Sequence, residues 1–557
     1  MTVQPFVTAV LDIPHLTQTG IKVLSVAYLW NTHFTIHGIQ QRRSQLNIES
    51  EIKFSLNAAT TKAILKSRLI KGSSAGRPKR KQLQSRYFDT RQHLLRKAGV
   101  SLRVRRLEDG FEQTIKIPTA GPVGMLTFEE WDVPLENNEP DLTKFDKAVL
   151  ARFNPRRRKL NLQPIFTTEV NRTTIQLERG RTRFELALDL GTIESHGKPP
   201  RQTSVCEVEF ELLAGAPLAM LEFALQLSEQ FELHPEHRTK AARGYALVRP
   251  ALGPQPTKAR DMPLNPDMSV GEAFRQIVSG ALTQLYSNEI PTIKGMPSGI
   301  HQARVSIRRI RAALRAFKKS LPYDKRKAFN GEFRWFQQRL SGARDWHVFL
   351  DETVPRIRRN RPNARVNLDR LRRIAIRQRR RETSEAMAVF RSRRYTRLLL
   401  QFQCWLLALE HENRQWFETE LEPFARKVLK KTRRDFLVDR RPFSRMTPDE
   451  LHELRKRGKK ARYATEFFAC LWQTESAVTG IAMMKALQSE LGEANDAAMA
   501  RQVLASLQPK ALKPSTLELV HTWSDQQVRR NIKAGQVIWR KFQDTTPFWL
   551  EPKADDS

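Results

Sequence analysis

The chain has 557 residues, too many for one hydrophobic core, so two or more domains are expected. Hydrophobic residues make up 40% of it and aromatic residues 8%, which excludes a largely disordered protein. The formal net charge of +37 predicts a polyanionic partner, such as nucleic acid, anionic lipid or a phosphate chain. The second half is the more basic, because residues 266–557 hold 57 Lys and Arg against 32 Asp and Glu.

The cysteines and the N-terminus indicate the compartment. Cys206, Cys404 and Cys470 are widely spaced and form no CxxC motif, which argues against a zinc ribbon and fits a reducing environment. The N-terminus lacks the order of a secretory signal, and its apolar runs are too short to span a membrane. We therefore expect a cytoplasmic protein. Residues 1–46 show no clear periodicity and are assigned as an extension of unknown role.

Residues 47–250 are predicted to form a domain of short antiparallel strands. Alternating runs such as IESEIKFSL, SLRVRRL, FEQTIKI and SVCEVEFELL recur, separated by turn residues such as Asp109-Gly110. Many short strands of this kind favour a closed barrel or a sandwich. Helical patterns at Ala58–Leu69 and Ala216–Phe231 interrupt the strands. A proline-rich linker is predicted over 251–267, and almost everything from 268 to 550 has helical periodicity.

The predicted strands carry charged side chains on one face. Glu49, Glu51 and Lys53 occupy alternate positions and so share a face, as do Arg103 and Arg105. The opposite faces are largely apolar. Two arrangements fit this pattern: an ordinary barrel with its apolar side inside, or a wide barrel with a charged, wet lumen and its apolar side packed outward on helices. The pattern alone does not choose between them.

The helical half contains an internal repeat. Ile300-HQARVSIRRIRAALRAF aligns with Leu451-HELRKRGKKARYATEFF, and LSGARD (340–345) aligns with LGEAND (491–496), both at an offset of 151 residues. Side chains at i, i+3, i+7 and i+10 share one helix face. Each unit therefore presents a stripe of one histidine and three basic residues. These stripes are His301, Arg304, Arg308 and Arg311 in the first unit, and His452, Arg455, Lys459 and Arg462 in the second.

The stripes predict a groove for a densely charged, flexible anion such as polyphosphate, because they hold no acidic residue. A solvated helix face is the competing interpretation. With HQARVSIRRIRAALRAF, LSGARDWHVF, LHELRKRGKKARYATEF and LGEANDAAMA, the region from about 266 to 550 resembles a CHAD domain. That resemblance implies an all-α duplicated bundle that binds inorganic polyphosphate through the basic residues and the two histidines.

The N-terminal region resembles the CYTH superfamily of triphosphate tunnel metalloenzymes. The resemblance rests on Glu49-x-Glu51-x-Lys53 and on YFDT, LLRKAGVSLRVRR, TIK, ELALDLG, CEVEFELLAG and TKAARGYAL, in that order along the chain. It implies an antiparallel barrel with a charged lumen. By resemblance, the catalytic residues are Glu51, Lys53 and Lys116; the substrate-binding cations are Arg103, Arg105, Arg172, Lys240 and Arg243; and the metal ligands are Glu49, Glu51, Glu209 and Glu211. Glu130, Asp189 and Glu207 are further candidates.

The whole chain resembles bacterial inorganic triphosphatases of CYTH-CHAD architecture, an α+β multidomain fold. The implied cofactor is Mg²⁺ or Mn²⁺, a hard cation that carboxylates bind and that neutralises phosphate charge. The expected partners are triphosphate and polyphosphate, with possible location at polyphosphate granules, rather than a specific nucleic acid or a membrane. Alternatives are a triphosphatase acting on ATP or thiamine triphosphate, adenylate cyclisation, and a non-catalytic polyphosphate-binding protein. Neither GxxxxGK[ST] nor GxGxxG occurs, and His234 and His237 lack metal-ligand spacing.

Overall fold

The computed structural model describes residues 48–156, 158–249, 253–260, 263–360, 365–472, 474–507 and 512–550. The extension predicted over 1–46 lies outside these residues. None of the helices in the described ranges combines the length and the apolar character that crossing a bilayer would require.

Eight antiparallel strands close into a barrel, as predicted for the first domain. They follow the order β5-β4-β3-β2-β6-β7-β8-β1, and β1 pairs with β5 to complete the ring. A two-residue strand, β9 (His234–Pro235), adds to the free part of β1. The barrel strands are β1 (Ile48–Ser55), β2 (Lys79–Thr90), β3 (Ser101–Leu107), β4 (Gly110–Pro118), β5 (Leu126–Leu135), β6 (Leu162–Arg179), β7 (Thr182–Ser195) and β8 (Gln202–Ala214).

The apolar strand faces point outward and are covered by helices. Helices α1 (Ala58–Lys66), α2 (Arg68–Ser73) and α5 (Pro217–Gln230) bury one side, where Phe54 and Phe210 belong to a shared core. Helices α3 (Leu94–Lys97) and α4 (Lys147–Ala151) contribute to a second core with Leu102 and Ile115. Of the two arrangements that fit the alternation, the structure therefore has the barrel with a charged lumen and with its apolar side packed outward on helices.

A sixth helix, α6 (Lys240–Val248), closes one end of the barrel. Its Ala241 and Tyr245 pack against Val170 and Val205, which share strand faces with the charged luminal residues. The hydroxyl of Tyr245 donates a hydrogen bond of 2.7 Å to Asp89 on β2. Asp89 also accepts hydrogen bonds from the backbone at the start of α3. Helix α6 is therefore held to the barrel by apolar packing and by a buried hydrogen bond.

The remainder of the described chain is helical. Its helices are α7 (Val270–Ile293), α8 (Pro297–Ala316), α9 (Tyr323–Arg339), α10 (Ser341–Val348), α11 (Val354–Asn360), α12 (Arg365–Val389), α13 (Arg393–Glu412), α14 (Leu421–Phe436), α15 (Pro448–Phe468), α16 (Glu475–Ala505) and α17 (Pro514–Asp544). Short 3-10 turns lie at Leu142–Lys144, Arg414–Phe417, Phe443–Arg445, Ala469–Leu471 and Phe548–Leu550, and a π-helical turn at Phe349–Thr353. The second domain is therefore all-α, as predicted.

The helix bounds agree with the repeat in the sequence. Helices α8 and α15 each begin at a proline, and their first residues, Pro297 and Pro448, are 151 positions apart. Pro is favoured in the first helical turn because its missing N–H would have no partner there. The second pair of aligned segments, LSGARD and LGEAND, differs in structure between the units. Helix α10 begins at Ser341, within LSGARD, whereas LGEAND lies inside the 31-residue α16.

The two domains share an apolar core. Leu400 of helix α13 is 2% exposed and packs in the same cluster as helix α5 and the outer face of β8, with Cys404 and Leu407 beside it. The predicted linker packs on the helical domain over its described part. Leu264 is buried in the main helical core, and the Thr257 backbone donates to the side chain of Asn288.

Candidate active site in the barrel lumen

The lumen of the barrel is lined by ionisable side chains from seven strands and from helix α6. They are Glu49, Glu51, Lys53, Arg103, Arg105, Lys116, Glu130, Asp132, Arg172, Asp189, Glu207, Glu209, Glu211 and Lys240. Because side chains alternate along a strand, each strand sends its charged set inward while it sends its apolar set outward. On β1, Glu51 lies opposite Glu211 of β8, and Lys53 lies opposite Glu209.

The first luminal group is a cluster of acids already neutralised by protein cations. The Nζ of Lys240 lies 2.6 Å from Asp189, 2.5 Å from Glu207 and 2.8 Å from Glu209. Arg172 forms a two-pronged contact with Asp189, at 2.7 and 2.6 Å, and also contacts Glu209. Burial alone would raise the pKa of Glu209, but the surrounding cations Lys240, Lys53 and Arg172 hold that pKa well below its usual range.

The carboxylates of this cluster are close enough together to bind a metal ion, but protein cations already neutralise their charge. Oxygen atoms of Asp189, Glu207 and Glu209 lie within 4.8 Å of one another. The ammonium of Lys240, however, already contacts all three carboxylates. Arg243, predicted to bind substrate, is likewise occupied, since it donates to Glu207 at 2.7 Å and to the Ser204 carbonyl.

Lys53 links the neutralised cluster to Glu51 on β1. Its Nζ lies 2.8 Å from Glu51 and 3.1 Å from Glu209, and its side chain is 5% exposed. Replacing Lys53 with methionine should lower the free energy of unfolding by about 3 kcal/mol, because it leaves buried carboxylate charge without this cation. Chemical denaturation checks this, with Lys62→Met on the exposed face of α1 as the control. Equal stability of the two variants would contradict the assignment.

The second luminal group contains acids that protein cations leave under-neutralised. Burial, followed by the charge of Glu49, raises the pKa of Glu211 to about 8, and Glu51 adds to the effect. Burial also raises the pKa values of Glu49 and Glu51, although Lys116 and Lys53 oppose the shifts. In the described ranges, no cation lies within ion-pair distance of Glu211.

This second group fits the divalent cation that the resemblance implies. Carboxylate oxygens are the ligands that Mg²⁺ and Mn²⁺ prefer, and a group of mutually repelling acids gains from an added cation. Three of the four predicted metal ligands, Glu49, Glu51 and Glu211, lie here. The fourth, Glu209, instead belongs to the neutralised cluster. Lys116 contacts Glu49 and lies 2.9 Å from Glu130, so it borders the group.

The third luminal group is a pair of arginines on β3. Arg103 donates to Glu130 at 3.0 Å. Arg105 donates to the hydroxyl of Ser85 at 3.2 Å, and no carboxylate of the described residues lies within ion-pair distance of it. Burial, followed by repulsion from Arg103, lowers the pKa of Arg105 to about 10. A buried guanidinium of this kind is suited to an anionic ligand, because such a ligand would supply the missing charge.

Several contributors to the lumen were not assigned a role from the sequence. Ser85 holds Arg105, and Glu185 lies opposite Glu211 in the register of β7 and β8. Thr114 donates to Asp132 at 2.6 Å. The only signal for these residues is alternation, which assigns a face but does not identify the partner across the barrel.

The two basic stripes of the helical domain lie close together. Burial lowers the pKa values of Arg455 and Lys459 on α15, and the charge of Arg308 on α8 lowers them further. The Nε of Arg308 also donates to the hydroxyl of Tyr463 at 3.3 Å. Burial, followed by repulsion from Arg455, lowers the pKa of Lys459 to about 7. The stripes therefore repel each other across one shared surface.

The first stripe is the more deeply buried. Burial and the charge of Arg344 lower the pKa of His301 to about 4, so this imidazole is neutral at pH 7. Two buried nitrogen atoms of Arg304 have no hydrogen-bond partner among the described residues. Arg311 donates to Asn330 and Gln337, and His452 is exposed.

The second stripe is partly occupied, and two aspartates temper the positive charge. Arg455 donates to Asn495 at 3.0 Å, and Arg462 donates to Glu466 at 2.8 Å. Asp345 and Asp496, which correspond in the repeat, are close enough to Arg304 to oppose the lowering of its pKa. The shared surface thus has a net excess of cations with acids between them.

Comparison with known proteins supports both halves of the description. The sequence profile of the CYTH domain matches residues 47–245, and that of the CHAD domain matches residues 276–505. The inorganic triphosphatase of Haemophilus influenzae is 30% identical over 169 residues, which are 30% of this chain and 46% of that protein. The match therefore spans less than half of the relative's length.

Two solved structures also align with this chain. The CHAD domain from the plant Ricinus communis is 28% identical, with 53% of this chain and 98% of that chain covered and a TM-score of 0.46. A Hippeastrum protein with a dominant triphosphatase activity is 16% identical, with 36% of this chain and 95% of that chain covered and a TM-score of 0.25. From the two profile matches, the chain joins a CYTH domain, at residues 47–245, to a CHAD domain, at residues 276–505.

Proposed function

We propose that the barrel hydrolyses inorganic triphosphate to diphosphate and phosphate with the help of Mg²⁺ or Mn²⁺. The proposal rests on one observation: the lumen contains both acidic side chains that lack enough cations and an arginine that lacks an anion. Nearby cations do not fully stabilise the ionised forms of Glu49, Glu51 and Glu211, while Arg105 has no carboxylate partner among the described residues. A divalent cation and a phosphate chain, bound together, would satisfy both groups. The activity of the Haemophilus relative supports the same substrate class.

The roles of the luminal residues follow from their positions. Arg103 and Arg105 would hold the phosphate chain, and Lys116 would orient it beside Glu49 and Glu130. Glu49, Glu51 and Glu211 would hold the divalent cation, which when bound neutralises charge on phosphate oxygens. Lys53 fixes Glu51 at 2.8 Å. We assign Glu51 as the acceptor of the proton from the attacking water, because its carboxylate lies in the lumen beside the proposed metal site.

A substrate panel tests the proposed reaction. We expect phosphate release from tripolyphosphate with Mg²⁺ or Mn²⁺, at a higher kcat/KM than from ATP, thiamine triphosphate or long-chain polyphosphate. Glu51→Gln should lower this rate by about 100-fold or more, the scale seen when a catalytic group is removed. The matched control is Glu129→Gln, which changes a carboxylate on the outward face that pairs with Arg152. A preference for ATP, or full activity of Glu51→Gln, would contradict the proposal.

We also propose that the paired stripes of the helical domain bind inorganic polyphosphate. The proposal is supported by the repulsion among Arg308, Arg455 and Lys459. It is also supported by two nitrogen atoms of Arg304 that have no partner in the described part of the chain, since a polyanion would relieve both conditions. Such binding would bring the barrel to polyphosphate, including granules. Duplex DNA at matched salt is the competitor that separates this from nonspecific charge attraction, because DNA binding weakens steeply as salt rises.

The affinity for polyphosphate should fall as the pH rises through neutrality. Lys459 has a pKa of about 7 in the ligand-free protein, and an adjacent polyanion favours its charged form. Binding therefore takes up a proton, and affinity should drop about tenfold between pH 6.5 and 8.0 as the free lysine loses its charge. Isothermal titration with long-chain polyphosphate measures this. Lys459→Arg should flatten the dependence, whereas Lys460→Arg, on another helix face, should leave it intact; equal slopes would contradict the assignment.

A further inference from the structure

The segment that leaves helix α5 and returns as helix α6 supports two parts of the lumen at once. Its residues His234–Pro235 form β9 and pair with β1 beside Phe54. The backbone N–H of Glu236 then donates to the carbonyl of Lys53 at 2.9 Å. Four residues later, Lys240 enters the lumen and contacts three carboxylates. The position of this segment therefore fixes both Lys53 and Lys240.

The other side of the same segment is held by the helical domain. The hydroxyl of Thr396 on helix α13 donates to the carbonyl of Leu233 at 2.7 Å, and Thr396 is 1% exposed. The ring of His237 stacks on Tyr286 of helix α7, with a centroid distance of 3.9 Å and an interplanar angle of 19°. The Nε2 of His237 lies 3.6 Å from the carboxyl of Glu289. These contacts cross from one domain to the other.

The contacts around Glu289 are buried and polar. Tyr395 donates to Glu289 at 3.3 Å, and Gln403 donates to the hydroxyl of Tyr286 at 2.6 Å. Glu289 is 4% exposed, and burial raises its pKa well above the usual range. Burial lowers the pKa of His237 to about 4. The imidazole of His237 is therefore neutral at pH 7, so its contact with Glu289 depends on geometry rather than on an ion pair.

Buried polar contacts constrain geometry because a misplaced partner leaves a polar group unsatisfied in a medium of low polarity. A purely apolar interface between the domains would tolerate sliding. Here the hydrogen bond from Thr396 holds Leu233, and the ring of His237 stacks on Tyr286 with the carboxyl of Glu289 beside it. His237 lies three residues before Lys240 in the chain.

We propose that Glu289 and Thr396 of the helical domain are positioning residues for the barrel, which hold the 233–237 segment so that Lys240 and β1 keep their places in the lumen. This inference rests on the proposed triphosphatase function. It assigns to the helical domain a role in catalysis besides the binding of polyphosphate. Neither residue reaches the lumen, so any effect on turnover must pass through the segment.

The test uses the full chain and tripolyphosphate. Thr396→Val keeps the side-chain shape but removes the hydrogen bond to Leu233, and it should lower kcat about tenfold, as expected for misplacement of a group that acts on the reacting centre. Thr292→Val is the matched control, because Thr292 is fully buried in helix α7 and donates only to the Asn288 carbonyl of its own helix. It should cause a similar fall in Tm with kcat unchanged.

Two further variants separate positioning from general destabilisation. Glu289→Leu should lower kcat, whereas Glu289→Gln, which keeps the size of the side chain and an acceptor for Tyr395, should retain kcat near the wild-type value. In a Lys240→Met background, Thr396→Val should have little further effect, because contacts that act through one residue are not additive. Equal kcat in Thr396→Val and Thr292→Val, or additive losses with Lys240→Met, would overturn the inference. Absence of turnover in the wild type would instead overturn the proposed function. In that case the affinity for tripolyphosphate tests the positioning role, and equal affinities in Thr396→Val and Thr292→Val would overturn the inference.

Discussion

Replacing Arg105 with glutamine should lower kcat/KM for tripolyphosphate about 100-fold, the scale on which one charge-stabilising donor contributes to catalysis. The same change should leave the Tm unchanged or raise it. Arg105 is half-buried beside Arg103, with a serine hydroxyl rather than a carboxylate as its hydrogen-bond partner. In the ligand-free protein, removal of its charge relieves repulsion, whereas in the complex it removes a contact to the phosphate chain.

The opposite signs of these two effects make the experiment informative. Arg106→Gln is the matched control, since Arg106 is the next residue on β3 and is exposed on the other face. It should leave both kcat/KM and Tm near the wild-type values. A large loss of Tm in Arg105→Gln would show that the side chain stabilises the fold. Unchanged kcat/KM would show that substrate does not reach this part of the lumen.

Replacing Glu211 with glutamine should raise the Tm of the metal-free protein and abolish most of its stabilisation by Mg²⁺ or Mn²⁺. A ligand that binds only the folded state at 100 times its Kd stabilises it by about 2.7 kcal/mol, so the wild-type shift is measurable. Glu211 has no cation within ion-pair distance among the described residues, and burial together with Glu49 raises its pKa to about 8. Its ionised form therefore costs stability until a cation arrives.

The pH dependence of this effect has a definite sign. Because the folded-state pKa of Glu211 is raised, its contribution to stability is fully present below the unfolded pKa of about 4.5 and is lost as the pH rises through about 8. The Tm gain from Mg²⁺ should thus grow between pH 5 and pH 8 in the wild type. Glu211→Gln should weaken that growth, and Glu229→Gln, at an exposed position of α5, should not. Identical Mg²⁺ responses in all three proteins would place the metal elsewhere.

The barrel could be predicted from the sequence because its strands alternate cleanly. On β1, Glu51 and Lys53 alternate with Ile52 and Phe54, which defines two faces whatever lies around them. The pattern does not show which face is inside, since a barrel with an apolar interior and a barrel with a charged lumen both fit it. Closure of the ring by β1 and β5, with helices on the outer faces, decides that question. The resemblance to the CYTH superfamily predicted the same outcome.

The balance of charges within the lumen could not be predicted from the sequence. Arg105, Arg172 and Lys240 were all assigned to substrate, yet Arg172 and Lys240 contact carboxylates in the structure and Arg105 does not. The distinction depends on cross-barrel distances between residues far apart in the chain. Their substrate roles remain predictions, and those of Arg172 and Lys240 would require exchange of existing partners.

In the helical domain, too, the sequence predicted which residues share a helix face but not which partners they contact. The repeat predicted two stripes, and helices α8 and α15 begin 151 residues apart as the alignment requires. Sequence spacing did not reveal that Arg311 and Arg462 have hydrogen-bonding partners within the domain, or that His301 is neutral. His237 was set aside because it lacked metal-ligand spacing. Its partner Glu289 lies 52 positions away in another domain, where no local pattern could identify it.

The most direct measurement is a crystal structure of the full chain with tripolyphosphate and Mn²⁺. The account predicts a phosphate chain inside the barrel in contact with Arg103 and Arg105, and an anomalous Mn²⁺ signal beside Glu49, Glu51 and Glu211. Tripolyphosphate bound only to the helical domain, with a lumen that holds neither metal nor phosphate, would contradict it.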